Sequence, residues 1–209
     1  KHADGENLQT TTHDFINCFK KPKIRSSKEG SLLIGPYTLN NTLHRNNENV
    51  ESVTMLVFDI DKAGGKTFEE IYDLVKNYMG YMHTSYRHTE NQTRCRIFLF
   101  LDSPIPKDKF EIVRKNFLQK HSELNRIIDQ SCSAISTGYF AFACPKERKE
   151  YARSKVLDGK LLNWKGYEQF HPSSPENPKL IPEGYRYTER CKLIGRLIQQ
   201  GLPLEEVHR

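Results

Sequence analysis

Hydrophobic positions along the chain fall into strand-like runs separated by helix-like stripes. The sharpest run is V-T-M-L-V-F-D-I-D-K at 53–62, apolar until it ends in Asp59 and Asp61, and it predicts a buried strand. Side chains alternate along a strand, so the two aspartates share one face. Ahead of it, S-L-L-I-G-P-Y-T-L from Ser31 predicts a strand or strand-turn, and the polar lead-in N-N-T-L-H-R-N-N-E-N-V carries Arg45. Behind it, K-A-G-G-K predicts a glycine turn. Phe68, Ile71, Tyr72, Val75 and Met79 then recur at helical spacing, with Thr67 as the N-cap before Glu69 and Glu70.

Two β-prone segments follow, Y-M-H-T-S-Y-R-H-T and R-C-R-I-F-L-F-L, and the turn E-N-Q-T between them predicts a hairpin. Its first arm carries Ser85, Arg87 and His88, and its second carries Arg94 and Arg96. Lys107 to Lys120 predicts an amphipathic helix on Phe110, Val113, Phe117 and Leu118, and N-R-I-I-D-Q-S-C then brings a third acid, Asp129, after two isoleucines. S-T-G-Y-F-A-F-A-C-P-K, ending at Lys146, predicts an aromatic strand; Tyr139, Phe140 and Phe142, with Phe98 and Phe100, are expected in the core.

At the N-terminal side, Phe15, Ile16 and Phe19 predict a short helix before the basic run K-K-P-K-I-R. Near the other end, H-P-S-S-P-E-N-P-K-L-I-P predicts a linker, and Leu193, Ile194, Leu197 and Ile198 predict a helix stopped at Gly201. The expected organisation is a basic N-terminal segment (1–30), a core (31–170), a linker (171–183) and the start of a helical segment (184–209).

Composition adds a charge and a setting. Lys and Arg total 32 against 26 acidic residues, a formal net charge of +6, which suits a polyanionic partner as well as an ordinary basic surface. At 209 residues and 36% hydrophobic content the chain can bury a core. Cys18, Cys95, Cys132, Cys144 and Cys191 form no C-x-x-C pair and are odd in number, so neither a zinc ribbon nor a disulfide framework is indicated and a reduced, cytoplasmic setting is expected. No apolar stretch is long enough to span a bilayer, so no membrane partner is expected. A chain that begins at Lys1 reads as trimmed from a longer protein.

Two carboxylates at one strand end are costly to hold together without a cation between them, and oxygen-only ligands favour Mg²⁺ or Mn²⁺ over zinc. This points to a divalent-metal site acting on phosphates. Nucleotidyl transfer needs two such ions, one for the attacking 3′-hydroxyl and one for the triphosphate. Asp129 is placed like a third ligand, and His88, Arg87, Arg94, Arg96 and Lys146 are candidates to hold phosphate oxygens. The bland readings are surface acids at a strand end, a hairpin surface histidine, and a helix cap at Asp129. A D-x-D phosphohydrolase, with Asp59 as nucleophile and Asp61 as acid, is the enzymatic alternative, although that chemistry also wants a later lysine and a paired acidic motif such as D-D, and the chain has no adjacent pair of aspartates. A nucleic-acid-binding initiator module without catalysis is the non-enzymatic one.

The order of these motifs resembles the archaeo-eukaryotic primase superfamily, the primase-polymerases, over roughly 33–146: a hydrophobic D-x-D, an s-x-H motif, and a hydrophobic residue followed by Asp. The resemblance implies an α+β catalytic core with an RRM-like antiparallel sheet packed on an N-terminal α/β portion. It implies a template-dependent DNA primase or polymerase using two Mg²⁺ or Mn²⁺ ions, nucleoside triphosphates, and a single-stranded or primed DNA template. Carried over, it makes Asp59, Asp61 and Asp129 the metal ligands and His88 the contact to the nucleotide's phosphates. Ser85 stands three residues before that histidine, and Tyr86 occupies the serine-like position two before it. Arg45 falls where the family often places a basic nucleotide contact. I-P-E-G-Y-R-Y-T-E-R-C-K-L-I-G-R-L resembles the opening of the small helical domain that follows such cores in plasmid and phage replication proteins. A larger replication-type enzyme, or one encoded beside CRISPR adaptation genes, is the implied parent.

Overall fold

The run that carries Asp59 and Asp61 forms a strand, Val50–Ile60, with buried residues on both faces. The computed structural model describes residues 7–8, 10–41 and 44–169; the expected linker at 171–183 and helical segment at 184–209 lie outside the described residues. In chain order the elements are α1 (Thr12–Phe19), β1 (Lys23–Ile24), β2 (Leu33–Ile34), β3 (Tyr37–Leu39), β4 (Val50–Ile60), α2 (Phe68–Val75), β5 (Met79–Thr84), β6 (Cys95–Pro106), α3 (Phe110–Lys120), α4 (Ser122–Ile127), β7 (Tyr139–Phe140), β8 (Ala143–Cys144), β9 (Ser154–Asp158) and α5 (Lys165–Glu168).

Five strands make one antiparallel sheet in the order β3-β4-β6-β5-β9. The hairpin expected from the sequence is the β5–β6 pair, with His83 opposite Arg96 and Tyr81 opposite Phe98. On the other side of β6, Arg96 lies opposite Asp59 and Phe98 opposite Val57. Between β4 and α2 the chain turns through Gly64 and Gly65, at φ 62° and 86°, a backbone region that a side chain strongly disfavours. Thr67 then caps α2 as expected, its side chain accepting from the Glu70 N–H while the Glu70 carboxylate accepts from Thr67 N–H.

The two faces of the sheet are covered differently. Leu56, Phe58, Ile60, Ile97 and Leu99 pack with Phe68, Ile71 and Val75 of α2 and Phe110, Val113 and Phe117 of α3. On the opposite face Val57, Phe98, Phe100 and Tyr81 pack with Phe15 of α1 and Tyr139 of β7. Two residues further along those same three strands, Val57, Phe98 and Tyr81 give way to Asp59, Arg96 and His83. One sheet face therefore passes from an apolar floor under α1 to a charged row.

Several elements differ from the sequence reading. The helix after Thr67 ends at Val75, and Met79 opens β5, so its apolar side chain serves a strand. The stretch from Ser31 divides at Gly35 and Pro36 into β2 and β3. The aromatic segment before Lys146 is two short strands, β7 and β8, which pair separately with β2 and β1. Strand β9 and helix α4 had no periodic signal strong enough to mark them. Among the described residues, no helix is long and apolar enough to cross a membrane.

Candidate active site

The charged row opens into a cleft lined by Asp59 and Asp61 at the end of β4, His83, Ser85, Tyr86 and Arg87 from the first hairpin arm, Arg96 of β6, and Lys28, Ser31, Phe140, Ala141 and Ala143 from the N-terminal segment and β7–β8. The cross-strand register builds it in two rungs. In the first, Arg96 Nη2 donates to Asp59 Oδ2 at 2.7 Å, and His83 stands on the far side of Arg96. In the second, Arg94 Nη1 lies 3.3 Å from Asp61 Oδ1, and the Ser85 N–H donates to the Arg94 carbonyl at 2.9 Å. Asp59 and Asp61 therefore share a face, as strand alternation requires.

The rungs differ in solvent access. The Asp59 and Arg96 side chains are 14% and 9% exposed, whereas Asp61 is 48% exposed. Arg96 is further fixed by Nη1, which donates to the Phe140 carbonyl at 2.5 Å, and by the Tyr139 ring, 5.2 Å from its guanidinium carbon. Asp59 Oδ1 is buried with no hydrogen-bond partner among the described residues. A buried carboxylate oxygen without a donor is costly unless a cation supplies the missing interaction.

Asp129, about seventy residues downstream of Asp59, is held beside it by the backbone: its N–H donates to the Asp59 carbonyl at 2.7 Å. Its carboxylate does not line the cleft. Oδ1 accepts from the Ser131 N–H at 2.9 Å and the Ser131 hydroxyl at 2.7 Å, and Oδ2 from Cys132 Sγ at 3.8 Å, so here it caps the short turn Gln130–Cys132. The Ser131 hydroxyl and N–H hold this carboxyl below its usual range. Burial, and then the charges of Asp59 and Asp129, push the Cys132 thiol up.

The other sequence candidates separate. Ser85, Arg87 and Arg96 line the cleft. His88 does not: its Nδ1 accepts from the Arg94 N–H at 3.2 Å inside its own hairpin, and burial first, with Arg153 also contributing, lowers its pKa. Arg45 lies beside Ser136, its Nη1 3.5 Å from that carbonyl. Lys146 begins an exposed turn after β8. Phe98, Phe100, Tyr139 and Phe142 are buried as expected, while Phe140 is half-buried at the cleft.

His83, Lys28 and Ser31 also line the cleft, and no local sequence pattern marks them. His83 is 2% exposed. Its ring stacks 4.8 Å from Phe142, and its Nδ1–H donates to the Thr84 carbonyl at 2.8 Å. Burial first, then the charge of Arg96, lowers its pKa from 6.5 to about 3. The folded chain thus holds a neutral imidazole. Above pH 6.5 both folded and unfolded states leave it uncharged; below that the unfolded chain takes up a proton that the folded one refuses, so stability falls progressively towards pH 3. Unfolding free energies from urea titrations at pH 7.5 and pH 5 should drop by about 2 kcal/mol more for the wild type than for His83→Gln. Equal drops would contradict the buried neutral assignment.

The chain matches no protein-family model and no curated protein. Among solved structures it is similar to the AEP domain of the cyanophage S-2L primase-polymerase, at 10% sequence identity and a TM-score of 0.46, over 66% of this chain and 69% of that one.

The acids can be tested against a metal on their own chemistry. Among the described residues, no three His, Cys, Asp or Glu side chains are gathered as a ready-made cage. Asp59 and Asp61 nevertheless offer oxygen donors on one face, and Asp59 Oδ1 has no hydrogen-bond partner among the described residues. These two residues fit a hard divalent cation.

Proposed function

We propose that this cleft catalyses template-directed nucleotidyl transfer, as a primase-polymerase. The observation that carries the reading is the Asp59 oxygen, without a hydrogen-bond partner among the described residues and buried beside Asp61 in a cleft whose other polar groups are cationic or hydroxyl-bearing apart from the neutral His83. Such a lining is complementary to a polyphosphate escorted by divalent cations. The antiparallel sheet, with α2 and α3 packed on one face, supports the reading at the level of an α+β fold.

Asp59 and Asp61 would hold Mg²⁺ or Mn²⁺, and Asp129 would join by exchanging its bonds to Ser131 for the cation. When bound, such ions lower the pKa of an attacking 3′-hydroxyl and neutralise charge on the leaving pyrophosphate. Arg96, Arg87 and Lys28 supply positive charge to the triphosphate, and the hydroxyls of Ser85 and Ser31 supply neutral donors. Phe140, with Lys28 held 5.6 Å from its ring centroid, closes the apolar side of the cleft. The substrates in this reading are nucleoside triphosphates and a DNA template, single-stranded or primed.

One observation favours a second reading. Both strand acids are already neutralised by arginines, as a binding module that had lost its chemistry would permit. Nucleotide binding separates the two. Titration with a fluorescent, non-hydrolysable nucleoside triphosphate should show at least tenfold tighter binding with Mn²⁺ than with EDTA. Equal affinities would leave only the binding module.

A further inference from the structure

Asp59 and Asp61 do not meet the cleft as free anions, because each is matched by an arginine two residues apart on β6 or its extension. The two guanidinium groups cancel the two carboxylates, and Lys28 and Arg87 in the same lining leave the site net positive, so it has little electrostatic draw for a bare divalent cation, and the arginines repel one directly. We propose that Arg94 and Arg96 are exchangeable counter-cations: an arriving polyphosphate takes over their guanidinium groups and releases Asp59 and Asp61 to divalent cations. The inference rests on the nucleotidyl-transfer reading above and adds an order to it. Metal and nucleotide bind with positive linkage, each raising the affinity for the other.

The side chains are set for such an exchange. The Nε atoms of Arg94 and Arg96 are buried with no hydrogen-bond partner among the described residues, as is Asp59 Oδ1. Neither guanidinium is therefore saturated by its aspartate, and the bonds of each can be rearranged around a phosphate oxygen. Arg96 also has anchors that do not depend on Asp59, the Phe140 carbonyl and the face of Tyr139. Its guanidinium can let go of the carboxylate without losing its place at the cleft. Arg94 does not itself line the cleft, but its partner Asp61 does and is about half exposed, so that pair opens more readily. A polyphosphate brings several negative charges into a net-positive site, so its arrival offsets the local charge and favours cations where the arginines had excluded them.

The test is Mn²⁺ binding to nucleotide-free protein, read as loss of the free-ion electron paramagnetic resonance signal. The wild type should bind weakly. Arg96→Gln should bind Mn²⁺ at least tenfold more tightly without nucleotide, because it uncovers Asp59, and adding Asp59→Asn to that variant should remove the gain. Circular dichroism and a thermal melt establish that Arg96→Gln folds. Arg94→Gln, which breaks the more exposed pair, gives the same comparison at Asp61 should the first variant fail to fold. Unchanged or weaker Mn²⁺ binding in the folded variants, with the wild type binding Mn²⁺ in the presence of a non-hydrolysable triphosphate, overturns the exchange while leaving the metal site standing. Absence of Mn²⁺ binding in every form, with or without triphosphate, overturns both the exchange and the nucleotidyl-transfer reading.

Discussion

Changing Asp59 and Asp61 together to asparagine is expected to slow nucleotide incorporation by roughly a thousandfold or more. The substitution keeps the shape of both side chains and removes their charge. Asparagine at 59 can still accept from Arg96, which keeps its bond to the Phe140 carbonyl, so the cost to folding is about 1–2 kcal/mol. Far-UV circular dichroism and urea unfolding check that cost, and primer extension by gel reads the activity. The half-exposed Asp61, changed alone, should cost less stability than Asp59 and still depress incorporation. A folded double variant that extends primers at the wild-type rate would remove the two acids from the chemistry.

The largest expected effect on stability lies on the other face of the sheet. Phe117 is fully buried. Its ring stacks on Phe58 at 5.4 Å with an interplanar angle of 12°, and on His121 at 4.2 Å. Tyr78 and Tyr167 close around it at 5.6 and 5.2 Å. Truncation to alanine removes a large apolar surface and leaves a cavity that four neighbouring rings cannot readily fill, a loss of about 3–5 kcal/mol. Ile112, five residues earlier on the exposed side of α3, should change stability by only about 0.5 kcal/mol when truncated. Urea unfolding of both variants measures the contrast; similar small losses would mean that α3 does not cover the sheet through this face.

These two tests probe features that the sequence reveals to different degrees. The strand ending in D-I-D, the capped helix after it, the hairpin and the apolar stripe of α3 are all local patterns, and the structure has each of them. The aromatic segment at 136–146 reads as one strand because nothing local shows that β7 and β8 each find a partner more than a hundred residues earlier. β9 is short and only partly buried, so its period is faint. Lys28 and Ser31 reach the cleft through that same long-range pairing, which periodicity does not encode.

Within the candidate site, the histidines show the same limit. His83 and His88 sit five residues apart on one arm, and an odd separation would place them on opposite faces even had the strand continued. It ends at Thr84, leaving His83 in the row with Arg96 while His88 folds back onto its hairpin. A register argument from the pairing of Tyr81 with Phe98 and His83 with Arg96 would have identified His83, but that register depends on the turn geometry. Asp129 is the converse case. Its motif is legible, and the structure holds its backbone against Asp59, but its carboxylate is committed to Ser131.

The most direct test of the central claim is a single-nucleotide reaction. The protein is incubated with a primed DNA template, Mn²⁺ and one deoxynucleoside triphosphate, and primer length, pyrophosphate and inorganic phosphate are followed together. The account predicts that the primer grows by one nucleotide for each pyrophosphate released, only when the nucleotide complements the template, and that Asp59→Asn with Asp61→Asn abolishes both signals. Release of inorganic phosphate without primer growth, or metal-dependent binding with no product at all, would contradict it.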